Sequence, residues 1–142
     1  MPVADCFLDT NILLYGVSTN PAKADKSRAA RTLMQSADWA WSAQVAAEFI
    51  RASTSPRQPK PLIRAEARCW VETWMAFPIA VVDSALVVEA VQIAKRIQTS
   101  HFDAQISRRR NEWGCATVSS EDLNHGQDYG GVRVVNPFLP AP

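Results

Sequence analysis

The sequence is short of bulk features that would name a partner. Its 15 lysines and arginines face 14 aspartates and glutamates over 142 residues, a net charge of +1. No partner class follows from that balance, and a nucleic-acid binder would have to gather its cations in a local patch. Cysteine is scarce: Cys6, Cys69 and Cys115 are odd in number, far apart, and form no C-x-x-C. That usage suggests neither a disulfide framework nor a zinc site, and free thiols in a reducing compartment are the simple expectation. Apolar runs are a handful of residues long, against the roughly 20 needed to span a bilayer. The start, Met-Pro-Val-Ala-Asp-Cys, lacks a basic region and a long apolar stretch, so no targeting segment is expected. A soluble, cytoplasmic protein follows. Internal repeats and low-complexity tracts are also missing, and the proline-rich stretches at 56–61 and 137–142 are short.

What is present is a chain of 47% hydrophobic and 20% charged residues, the balance of a globular protein. The length suits one domain, residues 1–142, with one core. The pattern alternates between strand and helix. Apolar residues at about 3–8 read as a strand ending at Asp9. Helical spacing follows over about 22–37, a short strand over 39–42, and a helix over 43–51. A long helix is expected over about 61–77, with Ile63, Ala67, Trp70, Trp74 and Phe77 on one stripe. Residues 79–82 are a β-branched apolar run that suits a buried strand. Asp83 or Ser84 caps a helix over 84–98, and a shorter helix runs from Asp103 to a C-capping Gly114. Strands at 115–119 and 132–135 close the pattern.

Alternating strands and helices imply a parallel sheet covered on both faces, and such sheets bind ligands at the carboxyl ends of their strands. Asp9 ends the first strand, and Ser120, Glu121 and Asp122 follow the strand at 115–119. Glu48 lies in an otherwise apolar helix face, and Asp103 opens a helix, where the dipole favours a carboxylate. Singly, each acid has a local reading as a turn, cap or solvated residue. Together they are the oxygen donors that Mg²⁺ takes, and a cation would relieve their mutual repulsion.

The motifs carrying these acids resemble a known family. Phe7-Leu8-Asp9-Thr10-Asn11-Ile12-Leu13-Leu14-Tyr15 resembles the opening of PIN-domain nucleases. Gln44-Val45-Ala46-Ala47-Glu48-Phe49, His101-Phe102-Asp103-Ala104 and Ser119-Ser120-Glu121-Asp122-Leu123 are similar to the second, third and fourth motifs. Val132-Arg133-Val134-Val135-Asn136-Pro137-Phe138 is similar to the closing strand, so the likeness spans essentially the whole chain. It is nearest to the VapC-type toxins of toxin–antitoxin pairs. The resemblance implies an α/β fold, a three-layer α/β/α domain with a mainly parallel sheet of four to five strands. It also implies a Mg²⁺- or Mn²⁺-dependent endoribonuclease, an antitoxin partner and a homodimer. Asp9, Glu48, Asp103 and Asp122 would be the catalytic, metal-binding acids. Ser120 would support the last acid, Asn11 would orient the first motif, and Glu121 could share the role of Asp122.

One departure stands out. Where relatives continue as an alanine-rich helix, this chain reads Gln105-Ile106-Ser107-Arg108-Arg109-Arg110. Three consecutive arginines cover about 200° of a helix. They could meet RNA phosphates, meet an acidic antitoxin segment or second subunit, or lie on a solvated face. Residues 51–68 hold Arg51, Arg57, Lys60, Arg64 and Arg68 against Glu66 alone. Arg51, Arg57, Lys60 and Arg64, with Arg110, are candidate RNA-phosphate contacts, since such contacts give sequence-independent affinity. The five tryptophans fit core or subunit packing better than base stacking. Two rival functions remain. One is a PIN-like module that binds RNA or protein with weakened catalysis. The other is a haloacid-dehalogenase-type phosphatase, which needs D-x-D where this chain has Asp9-Thr10-Asn11.

Overall fold

A computed structural model of the chain describes residues 4–80, 84, 85, 88, 115–128 and 132–140. Five short strands form one sheet: β1 (Cys6–Leu8), β2 (Trp39–Ser42), β3 (Ile79–Ala80), β4 (Thr117–Ser119) and β5 (Arg133–Val135). Their order is β3-β2-β1-β4-β5, and every pairing is parallel. The expected α/β class with a parallel sheet is therefore the one observed. The helices α1 (Thr10–Val17), α2 (Ala24–Ser36), α3 (Ala43–Ser53) and α4 (Arg64–Trp74) connect β1, β2 and β3. Both crossovers step the same way across the sheet, so the right-handed rule puts all four helices on one face. Consistent with that, α1 packs on α2 and α3, and α3 packs on α4.

The helix α1 is an element the sequence reading passed over. Its run Ile12-Leu13-Leu14-Tyr15 is apolar and lacks a clear polar face. Ile12 and Leu13 are fully buried, so packing decides the conformation. The start signal was available, because Asp9 is the N-cap and its carboxylate accepts from Thr10 N at 2.8 Å. The helix at 22–37 is observed as a 3₁₀ turn, Pro21–Lys23, leading into α2. Asn20 caps that turn, accepting from Ala22 N at 3.1 Å. The long helix expected over 61–77 is shorter. Ile63 N donates to the Glu66 carboxylate at 3.2 Å, which fixes its start. Pro78 disfavours helical backbone at Phe77, so α4 stops at Trp74. Of the predicted stripe, Ala67 and Trp74 are buried, whereas Ile63 and Trp70 are exposed. The predicted helices at 84–98 and 103–114 lie outside the described residues, except that Ser84, Ala85 and Val88 are helical. Strand residues 81 and 82 lie outside them too.

The core is aromatic on the β2 side. Trp39 stacks on Phe77 with ring centres 4.0 Å apart, and Trp41 meets Trp74 at 90° and 6.0 Å. Phe49 from α3 packs edge-on against Trp74 at 4.9 Å. Such pairs add about 0.5–1.5 kcal/mol each beyond area burial. Trp39, Trp41 and Trp74 are thus core residues, Trp70 is partly exposed, and Trp113 lies outside the described residues. Phe7, Val118 and Val134 stand in one register row across β1, β4 and β5 and are buried, and Leu8, on the opposite face of the sheet, is buried too.

Candidate functional site

The strand order decides where a site forms. From β1 the chain steps outward to β2 and β3, and β4 and β5 lie on the other side of β1. The boundary between β1 and β4 is therefore the topological switch point, where a crevice opens beyond the carboxyl ends of the strands. Register brings the ends level, with Leu8 opposite Ser119. The backbone ladder continues past both strands: Asp9 N donates to Ser119 O and Ser120 N to Val135 O, each at 3.1 Å. Asp9 and Ser120 are held side by side by main-chain bonds before any side chain contributes.

The side chains then form one network around Asn11. Its Nδ2 donates to Ser120 Oγ at 3.1 Å, to Asp122 Oδ2 at 3.1 Å and to Asp9 Oδ2 at 3.3 Å. Its Oδ1 accepts from Glu121 N at 3.2 Å, which fixes which end of the amide faces the acids. Ser120 Oγ donates to Asp9 Oδ2 at 2.7 Å and accepts from Asp122 N at 3.1 Å. Asp9 is 4% exposed and Ser120 fully buried, whereas Asp122 reaches solvent. The N-terminus of α1 points at the Asp9 carboxylate, and its dipole stabilises that charge.

Glu48 joins through a different residue. Thr10 Oγ1 donates to Glu48 Oε2 at 3.0 Å, while Thr10 N binds Asp9. On its outer side Glu48 meets Arg51 Nη2 at 3.7 Å, so this candidate RNA contact is engaged with an acid. Arg57 and Lys60 are exposed in the loop before α4, and Arg64 is exposed at its first turn. Asp103, Arg108, Arg109 and Arg110 lie outside the described residues.

Glu121 presents its backbone, not its carboxylate, to this network. The carboxylate accepts from Tyr15 OH at 2.6 Å and from Lys26 Nζ at 2.8 Å. Burial alone would raise its pKa, but these two bonds outweigh burial and hold it below the usual range. Lys26 sits 5.1 Å from the Tyr15 ring centre and 5.5 Å from that of Phe138, so the ammonium is held by cation–π attraction as well. The bond to Glu121 raises the Lys26 pKa above its ordinary value. His125 lies in the following turn, its Nδ1 accepting from Asn136 N at 2.9 Å. Gly126 has φ +84°, a value L side chains rarely adopt.

Thr10, Tyr15 and Lys26 are the participants that sequence reasoning missed. Tyr15 stands four residues after Asn11, on the same face of α1, and that spacing was a usable signal. Lys26 meets Glu121 across 95 residues of sequence, and no local pattern marks the pair.

The arrangement suits a hard cation by donor chemistry. Asp9, Asp122 and Glu48 offer only oxygen ligands, and Mg²⁺ is commonly held by one or two carboxylates plus water. Among the described residues, no three His, Cys, Asp or Glu side chains come close enough together to form a metal cage. No helix among the described residues is long and apolar enough to cross a membrane.

Comparison with known proteins bears on the fold and the family. No curated protein matches the chain by sequence. Among solved structures, a toxin–antitoxin complex from Klebsiella pneumoniae is similar in fold, with a TM-score of 0.64 at 18% identity over 93% of this chain and 97% of that one. FitAB bound to an IR36 DNA fragment gives 0.65 at 19% identity over 96% and 98%. FitAcB from Neisseria gonorrhoeae gives 0.63 at 20% over 94% and 98%. The PIN domain family matches residues 6–120, a stretch that contains β1 to β4 together with Asp9, Asn11, Glu48 and Ser120. The chain belongs to the PIN domain family.

Proposed function

We propose that the protein is a Mg²⁺- or Mn²⁺-dependent endoribonuclease, the toxin of a toxin–antitoxin pair, that hydrolyses RNA phosphodiesters. One observation carries the reading: a buried Asp9 at the end of β1 is tied through Asn11 to Asp122 beyond β4. Burying a carboxylate is costly unless a partner compensates. Asn11, Ser120 and Thr10 supply that compensation and keep the acids together. This is the arrangement expected of groups kept for a cation. Asp9 and Asp122 would hold the metal, with Glu48 and Asp103 as the further acids of the set. When bound, a divalent cation supplies an activated water and neutralises phosphate charge.

The chain's own residues do the rest. Asn11 holds two acids at one edge of the crevice. Ser120 donates to Asp9 and fixes the turn carrying Asp122. Thr10 ties Glu48 to the same edge. The solved toxin–antitoxin relatives support an antitoxin partner for this chain. The exposed Ile63, Trp70 and Met75 on and beside α4 are an apolar surface that a homodimer or the antitoxin would cover.

The test is cleavage of total small RNA with Mg²⁺ or Mn²⁺, with and without chelator, comparing wild type with Asp9→Asn. Metal-dependent fragments from wild type alone are expected, with circular dichroism showing both proteins folded. Cleavage by Asp9→Asn at the wild-type rate would remove Asp9 from the mechanism. Mn²⁺ titration separates a nuclease from a PIN-like binding module, which need not bind the ion through these acids.

A further inference from the structure

A cleft of about 500 Å³ runs away from the acids between α1, the 3₁₀ turn and the loop preceding α4. Asn11 and Glu121 are among its lining residues, and Asn11 is bonded to both Asp9 and Asp122, so the cleft adjoins that network. Leu14, Tyr15 and Leu62 give it apolar walls, and Lys23 and Lys60 reach it from the 3₁₀ turn and from the loop. Among the described residues, no carboxylate lies within ion-pair distance of Lys23 or Lys60. The two acids that do line the cleft are engaged: Glu66 accepts from Ile63 N, and Glu121 is held by Lys26 and Tyr15. Lys26 pairs with the Glu121 charge, while Glu66, holding one backbone hydrogen bond, keeps its own, so Lys23 and Lys60 exceed the unpaired acid by one positive charge and the remaining surface is largely apolar.

An occupant must pair an anion with a flat apolar body. One unstacked nucleotide has that chemistry, and the volume lies within the roughly 300–1,000 Å³ of small-ligand sites. A duplex keeps its bases stacked inside and cannot enter, whereas splayed bases of unpaired RNA can. We propose that this cleft is a specificity subsite that takes the unpaired nucleotide beside the cleaved bond. Its base lies against Leu14 and Leu62, and its phosphate meets Lys23 and Lys60. The inference rests on the nuclease reading and names the substrate feature that reading leaves open. It also separates Lys60 from Arg51, Arg57 and Arg64, which do not line the cleft.

The experiment uses the full chain with Lys23→Gln/Lys60→Gln, Leu62→Trp to fill the cleft, and Arg28→Gln as an exposed control on α2. Cleavage is measured on an RNA hairpin cut in its loop, beside the same sequence fully paired. The double variant and Leu62→Trp should raise KM about tenfold or more while kcat stays within about twofold, since phosphate contacts and apolar packing of the base act on binding. Mn²⁺ affinity should not change, and Arg28→Gln should match wild type. In an Asp9→Asn background, where bound RNA stays whole, the double variant should flatten the slope of log affinity against log salt by about 0.7, the value for one lost phosphate contact. Unchanged KM in both cleft variants would overturn the subsite while leaving the nuclease standing. Equal cleavage of paired and unpaired RNA would do the same. Unaltered RNA cleavage combined with lost binding of a poly-glutamate peptide would reassign the cleft to a protein partner. Absence of cleavage by wild type on every RNA, with Mn²⁺ bound, would remove the nuclease reading and the subsite with it.

Discussion

Replacing Asn11 by aspartate keeps shape and size but puts a third carboxylate where the amide now separates two. In the native network Asn11 Nδ2 donates to Asp9 at 3.3 Å and to Asp122 at 3.1 Å. Hydrogen bonds to charged groups contribute about 1.5–3 kcal/mol each, so losing both costs about 3 kcal/mol at least. The new carboxylate has two escapes. It can stay protonated at pH 7, at about 1.36 kcal/mol per unit of pKa shift, or recruit a cation. Remaining protonated at pH 7 takes about three units, or about 4 kcal/mol, beside at least one lost hydrogen bond, so without a cation the total loss lies between about 3 and 6 kcal/mol, a large part of a small domain's stability. The assay is urea unfolding in EDTA, in Mn²⁺ and across pH. The introduced carboxyl has a folded pKa raised by its neighbours, so the folded state binds more protons than the unfolded state. Stability must then rise as pH falls from 7 toward the unfolded pKa of about 4. Mn²⁺ at a hundred times its Kd should return about 2.7 kcal/mol or more. Stability within about 1 kcal/mol of wild type in EDTA at pH 7, with no acid recovery, would show that Asn11 does not hold the acids together.

Further outcomes follow from other contacts. Lys26→Met removes one donor from Glu121 and, because the pair is partly exposed, should cost about 0.5–1 kcal/mol in chemical denaturation. Glu121 has a lowered folded pKa, so its contribution is present above the unfolded carboxylate value and is lost as pH falls through the folded one. The variant should therefore show a shallower acid limb. Cys6 and Cys115 are buried and their thiols are pushed up to about 11, so at pH 8 a thiol reagent should label Cys69 alone until the chain is unfolded. Above pH 9 the unfolded state loses those two protons while the folded state keeps them, so stability should fall between about pH 9 and 11. The buried Trp41 Nε1 has no hydrogen-bond partner among the described residues, so Trp41→Phe should cost less than about 1.5 kcal/mol by thermal melting, well below a typical aromatic deletion.

Elements with strong local signals were legible in the sequence, and those decided by tertiary contact were not. The strand at 39–42 and the helix that follows it were both readable, because Ser42 ends one and caps the other, accepting from Val45 N at 3.0 Å. The apolar run after Asp9 carried no such division into faces. Ile12 and Leu13 are fully buried while Leu14 and Tyr15 are half-buried, so the helix there has no solvated stripe to reveal its period. The end of α4 was misplaced for the opposite reason. Phe77 fits the helical spacing of Trp70 and Trp74, yet it reaches Trp39 from beyond the helix, where the backbone turns ahead of Pro78.

The same division runs through the site. Asp9 and Ser120 could be placed together from the sequence because strand ends in a parallel sheet share one edge, and the register of β1 with β4 makes them neighbours. What could not be read was which group faces which. Glu121 and Asp122 are adjacent acids, and in sequence Glu121 could share the role given to Asp122. The structure separates them by the alternation of a turn: Asp122 faces Asn11, and Glu121 faces Lys26 and Tyr15. That separation depends on a lysine in α2 and a tyrosine in α1 arriving at one point, a fact of packing rather than of spacing. It also gives Glu121 a task of its own. Its carboxylate is fixed on one side and its N–H holds Asn11 on the other, so the turn carrying Asp122 is anchored from both directions.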